Sequence, residues 1–283
     1  MKPFFVRDVR GPHVPPVVLA SPHSGRDYPP GFLAALTVGV DVLRRAEDRM
    51  VDHIVTPIAR RFDWPMIAAK WGRTYVDLNR DPADLDPAII SGVPPRPSNA
   101  RIRAGLGVLP RIAVPGVPIY SDRIGLAEAK ARLRHVHGPY HAALGALLTR
   151  ARDANGYAIL IDCHSMPSLP RNGGRPVDIV LGDLNGDSAD GDLVGALETA
   201  LAPRFRTVRN KPYAGGFTTR HHGTRQTGVH AVQLEIDRAL YLDRKTMNFS
   251  DRAEHMISGL SQAFEAFKRY LDESAAPMAI AAE

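Results

Sequence analysis

The chain has 283 residues, 44% of them hydrophobic and 23% charged, and a formal net charge of +6. That length and apolar content suffice for a full core and exclude a disordered or fibrous class. A single cysteine, Cys163, excludes an intramolecular disulfide and a cysteine-based zinc site, and it fits a reducing cytoplasm.

In chain order, the opening MKPFFVRDVRGPHVPP has neither the long apolar run nor the cleavage site of a signal peptide. No stretch approaches the ~20 apolar residues of a membrane span. Pro16–Ala20 (PVVLA) reads as a buried strand entering the turn SPHSG. Phe32–Leu36 reads as a short helix. The spacing of Val42, Leu43, Met50, Val51, Ile54, Val55 and Ile58 predicts one helix over 42–61, kinked at Pro57. Strands follow at Met66–Ala69 and Thr74–Leu78. Residues 81–116 are rich in proline, glycine and arginine and form a loop-like excursion of the kind found near functional sites. Gly125–Ala151 carries a helical pattern interrupted by Pro139. Ala158–Cys163 and Val177–Leu181 are strands, Leu193–Ala202 a helix and Phe205–Val208 a strand. Ala214–Gly228 is a polar, glycine-containing loop, His230–Ile236 a strand and Arg252–Leu271 the last helix. The alternation predicts an α/β fold: a mixed, mostly parallel central sheet with helices on both faces. A single catalytic domain over 1–272 is expected, with a frayed tail at 273–283.

In such sheets ligands gather beyond the carboxyl ends of the strands. Those ends carry His23, Asn79-Arg80, His164 and Glu235. Two histidines and a carboxylate make the common open zinc triad, which leaves a position for water. Asp48 is favoured as the third ligand and Glu47 is its alternative, both in AEDRMVD. Asp162 is not expected to serve His164, since residues two apart on a regular strand point in parallel. Cys163 points away as a small core residue. Ser165 lacks the G-x-S-x-G elbow of a serine nucleophile. His221 and His222 are possible extra ligands, with substrate binding by one of them the favoured reading. Tyr140-His141 is read as helix packing. The positive charge forms no run of four Lys/Arg and no aromatic-basic interleaving, so no nucleic acid and no membrane partner is expected. It suits a small anionic substrate.

The ordered set SPHSG, EDRMVD, GRTYVDLNR, DCHS, GGFTTRHHG and QLEID, from about Val17 to Asp243, resembles the N-formylglutamate amidohydrolase (N-formylglutamate deformylase) family. That family is similar to zinc carboxypeptidases and aspartoacylases. The resemblance implies a zinc-carboxypeptidase-like (phosphorylase/hydrolase-like) fold and the cofactor Zn2+ or another divalent metal. It implies His23 and His164 as ligands, Glu235 as the water-activating base, and Asn79 and Arg80 as the grip on a substrate carboxylate. Arg73 is a second cation nearby, suited to an oxyanion, and Arg220 with His221 contacts substrate. Zinc carboxypeptidases take their carboxylate ligand three residues after the first histidine. Arg26 stands there, so the third ligand comes from elsewhere, with Asp48 the inferred choice. The implied activity is hydrolysis of an N-acyl amino acid, foremost N-formyl-L-glutamate to formate and L-glutamate, a step of histidine degradation. Rival readings are deacylation of another carboxylate-bearing N-acyl amino acid or peptide, and zinc-free binding of a small anion.

Overall fold

The computed structural model describes residues 2–9, 11–94, 100–170 and 174–274. Its elements are β1 (Phe4–Arg7), β2 (Val17–Ser21), α1 (Pro30–Ala34), α2 (Val40–Arg44), α3 (Val51–Arg61) and β3 (Met66–Ala69). Then come β4 (Ile90–Ser91), α4 (Ala100–Arg103), β5 (Ile112–Val114), β6 (Val117–Pro118), β7 (Ile124–Gly125), α5 (Leu126–Arg132) and α6 (Gly138–Asn155). The chain ends in β8 (Ala158–Met166), β9 (Ile179–Gly182), α7 (Gly191–Leu201), β10 (Thr207–Arg209), α8 (Phe217–His222), β11 (Val229–Asp237) and α9 (Ala253–Glu273). Seven strands form one sheet in the order β1-β3-β2-β8-β11-β9-β10. β2 with β8, β8 with β11, and β9 with β10 are parallel, and β9 with β11 is antiparallel. The fold is the mixed, mostly parallel α/β class that the alternation predicts.

By internal packing the chain forms two compact units. One comprises Met1–Phe5, Pro22–Asp48 and Ala68–Leu144. Its apolar centre is Phe32, Leu43, Ala113 and Ile119, bordered by Tyr28, Tyr75 and Tyr120. The Arg132 guanidinium lies 4.5 Å from the Tyr75 ring centroid and donates to the Tyr120 hydroxyl at 2.9 Å, so a cation closes this core by ring contact as well as by hydrogen bond. Much of the 81–116 excursion is ordered here. β4 pairs in parallel with β7, and β5 with β6 forms a hairpin.

The other unit comprises Val6–Ser21, Arg49–Ile67 and Gly145–Glu283. Val17 to Ala20, every residue of β8 and every residue of β11 are buried. Val17–Ala20 and Ala158–Ile161 are continuous apolar runs, as expected of central parallel strands covered on both faces. Each fully buried Val, Leu or Ile contributes roughly 1.5–3 kcal/mol. α3 packs on β2 and β8, and α8 on β8 and β11. Trp64 meets Phe264 edge-on at 5.6 Å, which joins the chain after α3 to α9. Among the described residues no helix is long and apolar enough to cross a membrane.

Several expected elements differ. Thr74–Leu78 is a turn rather than a strand. Its register is set by Asp77 N–H on the Val108 carbonyl at 2.8 Å and by side chains, with no ladder partner. The helix expected over 42–61 is two helices, and Met50 ends the gap between them in the left-handed region at φ 65°. α3 then runs through Pro57 to Arg61. Of the expected Gly125–Ala151, Gly125 closes β7 and Leu126–Ala151 is helical throughout, with a π turn at Leu133–His137 placed just before Pro139. β8 extends three residues past Cys163, so His164 stands within the strand. Within the expected loop 214–228, Gly216 and Thr219 cap the short helix α8. Most of the expected frayed tail, 275–283, lies outside the described residues.

Candidate active site

The turn after β2 places His23. Gly25 is required there: a Cβ at that position would lie 2.1 Å from the Trp71 carbonyl oxygen. The N–H groups of Arg26 and Asp27 both donate to the Lys70 carbonyl, which pins the far side of the turn. Asp48 N–H donates to the His23 carbonyl at 2.9 Å, and Asp48 Oδ2 lies 3.4 Å from His23 Nδ1. Both side chains are 2% exposed. Glu47, the other carboxylate of that motif, accepts the Tyr28 hydroxyl at 2.6 Å.

On its other side the His23 ring meets Asp77, a residue that sequence reading missed. His23 Nε2 donates to Asp77 Oδ1 at 2.7 Å. Asp77 Oδ2 accepts Nε and Nη2 of Arg73, at 3.2 and 2.7 Å. Burial pushes the Asp77 carboxyl up, but Arg73, His23 and Arg80 together hold it well below the usual carboxylate range. It is an ionised acceptor, so His23 carries a hydrogen on Nε2 and turns Nδ1 toward Asp48. Asn79 N–H donates to the same Oδ1 at 2.9 Å. The Arg80 guanidinium donates to the carbonyls of Leu106 and Asn79.

β8 and β11 carry the second group. Their parallel register sets Asp162 opposite Gln233 and His164 opposite Glu235. Because strand side chains alternate with period two, all four stand on one face. All four are buried, and β11 lies inside the sheet between β8 and β9. Gln233 Nε2 donates to Glu235 Oε1 at 2.8 Å. His164 Nε2 bonds Asp162 Oδ2 at 3.0 Å, contrary to the expectation that Asp162 could not serve it. Residues two apart on a strand are ~6.6 Å apart along its axis, and a leaning carboxylate with an imidazole closes that distance. Cys163 points to the opposite face. Burial, reinforced by the Asp162 charge, holds its thiol well above the ordinary range. Ser165 Oγ accepts from Arg238 Nε at 3.0 Å.

Arg220 and His221 lie exposed on α8, with the His221 ring stacked on Phe217 at 4.9 Å. His222 is buried, and its pKa is pushed down to about 3 by that burial and by His221.

His141, read from sequence as packing, donates from Nε2 to the Leu78 carbonyl at 2.8 Å. His137, one helical turn earlier, bonds the Arg80 carbonyl. Asp77, Gln233 and these two histidines escaped sequence reading. The signal for Asp77 was present as a lone acid inside the apolar stretch YVDL.

His23, Asp48 and His164 form a buried group able to hold a metal ion: one ligand atom from each lies within 4.8 Å of the others. The donor chemistry fits. Two ligands about 2.1 Å from one tetrahedral ion stand ~3.4 Å apart, and His23 Nδ1 to Asp48 Oδ2 is 3.4 Å. Each histidine has a carboxylate on its other nitrogen, the usual partner of a metal-bound imidazole.

Residues 15–242 match the family model for N-formylglutamate amidohydrolase. A relative from Pseudomonas aeruginosa named N-formylglutamate deformylase is 33% identical over 273 residues, 92% of each chain. One of the same name from Pseudomonas putida is 34% identical over 193 residues, covering 65% of this chain and 67% of its own. The crystal structure of N-formylglutamate amidohydrolase from Ralstonia eutropha JMP134 superposes with a TM-score of 0.88 at 29% identity, over 97% of this chain and 100% of that one. A gene product of Agrobacterium tumefaciens shares the fold, with a TM-score of 0.69 at 18% identity over 96% of this chain and 97% of that one. Matched over most of its length by the family model and by a full-length relative, the chain belongs to the N-formylglutamate amidohydrolase family.

Proposed function

We propose that this protein is a metal-dependent amidohydrolase that cleaves N-formyl-L-glutamate to formate and L-glutamate. The observation that carries the reading is the pairing of Glu235 with His164 across β8 and β11, a buried carboxylate level with a candidate ligand on the same face. The names of the relatives support the substrate. His23, Asp48 and His164 hold the ion, taken to be zinc. When bound, such an ion polarises a carbonyl and lowers the pKa of water toward ~7.

Glu235 accepts a proton from the attacking water as it adds to the formyl carbon, and returns it to the leaving amine nitrogen. Gln233 holds one oxygen of Glu235, so the carboxylate meets the water in one orientation. Arg73, anchored on Asp77, is the cation assigned to the charge that develops on the formyl oxygen. Asn79 and Arg80 take a substrate carboxylate, for which a guanidinium fork is suited. Arg220 and His221 on α8 contribute the remaining polar contacts to substrate. The reaction is assigned to the cytoplasm, in keeping with one buried free thiol.

The test is formate release from N-formylglutamate, measured with a formate dehydrogenase couple beside N-acetylglutamate and N-formylalanine. Turnover is expected to be fastest on N-formylglutamate, lost on chelation and restored by zinc. Full activity in metal-stripped protein would end the metal reading. Absence of formate release would end the substrate reading.

A further inference from the structure

Neither His137 nor His141 takes part in the steps above, yet both are buried. They are set by a local irregularity. Pro139 has no N–H, and its ring crowds the carbonyl four residues earlier, which a regular α-helix cannot absorb without a kink or break. The chain passes instead through the π turn Leu133–His137, in which Gly138 N–H reaches back five residues to the Leu133 carbonyl. Single π turns inside helices recur at functional sites. The two histidines lie four residues apart on one helix face, with ring centroids 4.5 Å apart.

Each ring donates through Nε2 to a backbone carbonyl, His141 to Leu78 at 2.8 Å and His137 to Arg80 at 2.9 Å. These two carbonyls flank Asn79. Asn79 N–H donates to Asp77 Oδ1, and that same oxygen accepts from His23. The 77–80 segment is a turn with no strand ladder to hold it, while buried backbone carbonyls require partners. A continuous set of bonds thus runs from the π turn, through the 77–80 backbone, to the imidazole of a candidate ligand. Imidazole suits the task, because each ring aims one N–H at its carbonyl in a fixed plane.

We propose that His137 and His141 are positioning residues, a helix-borne clamp on the Leu78 and Arg80 carbonyls that keeps Asp77 on His23 and fixes Asn79-Arg80 for substrate. The inference rests on the metal and substrate reading given above. Its test compares two double variants of the full chain. In His137→Leu/His141→Phe both donors are lost. In His137→Gln/His141→Gln a neutral N–H donor is kept at each place. Zinc affinity is measured by competition with a chromophoric chelator, and KM and kcat on N-formylglutamate by formate release.

The apolar pair is expected to bind zinc about 10- to 100-fold more weakly, the usual cost of losing an outer-shell partner, with KM raised by a similar factor. The glutamine pair is expected to stay within about threefold of wild type in both. Should the apolar pair not fold, His137→Leu against His137→Gln makes the same comparison. Zinc affinity and KM of the apolar variant equal to wild type would overturn the clamp, as would a glutamine pair as impaired as the apolar one. Those outcomes leave the wild-type activity standing. Wild-type protein that neither binds zinc nor releases formate would instead overturn the reading beneath it, and the clamp with it.

Discussion

Glu235→Gln isolates proton transfer from architecture. The replacement is isosteric, so it opens no cavity in the centre of β11. Gln233 Nε2 donates to Glu235 Oε1 at 2.8 Å, and an amide oxygen at residue 235 accepts that same bond. The amide nitrogen then takes the place of the other carboxylate oxygen. That group donates and cannot accept a proton from water. The ligand residues and the 77–80 turn are untouched, so metal content and KM are expected to stay near wild type. The loss falls on kcat. Positioned general-base catalysis contributes typically 10²- to 10⁴-fold, so kcat is expected to fall by that range, about 2.7–5.5 kcal/mol of barrier. The assay is formate release under saturating N-formylglutamate, with zinc measured on the same samples. A variant that keeps more than about a tenth of wild-type kcat, well short of that range, would remove Glu235 from the role of base.

Gln233→Met keeps the bulk and removes the donor. One hydrogen bond to a charged group is worth about 1.5–3 kcal/mol, so kcat is expected to drop tenfold or more with KM little changed, and an unchanged kcat would refute the orienting role. Asp77→Asn removes the charge shared by His23 and Arg73; zinc affinity should fall about 10- to 100-fold in a chelator competition, and an unaltered affinity would detach Asp77 from the site. His222 has a folded pKa of about 3 against 6.5 when unperturbed. The unfolded chain therefore binds its proton first, and stability should fall as pH drops below 6.5 toward 3, by roughly 2 kcal/mol between pH 7 and pH 5. Urea unfolding of His222→Leu should lack that part of the pH dependence, and an identical slope in both proteins would refute it.

The elements legible from sequence are those specified locally. Val17–Ala20 and Ala158–Ile161 are apolar runs that only a covered strand buries, Val232–Ile236 alternates apolar and polar residues with the period of a strand, and α9 shows its helical period openly. The failures lie where tertiary contacts override the local pattern. Thr74–Leu78 has the β-branched and aromatic residues of a strand, yet Asp77 is held by His23 and Arg73 and its N–H by Val108, so no ladder forms. Apolar spacing on both sides of residues 45–50 suggests one helix. The bond from Asp48 N–H to the His23 carbonyl and the left-handed Met50 break it, and in doing so bring Asp48 Oδ2 within 3.4 Å of His23 Nδ1. His23, Asp48 and His164 were nameable because each sits in a short motif of unusual polarity. Asp77, Gln233 and His137 act on other side chains or on backbone, and nothing in their own neighbourhood announces a partner far along the chain.

The partners of the two histidines point to a shared logic. His23 gives Nε2 to Asp77, and His164 gives Nε2 to Asp162. A carboxylate that only accepts fixes the tautomer, so under the metal reading Nδ1 is the ligating nitrogen of both rings. The two carboxylates are supplied in different ways. Asp162 comes from the same strand as its histidine, where a fully buried ladder sets the geometry. Asp77 comes from a turn, and a turn has no ladder. It is there that the structure gathers Arg73, the Asn79 N–H and the carbonyl bonds of His137 and His141. A ligand held through a turn needs the turn itself to be held, and the π turn before Pro139 is what brings those two histidines onto it.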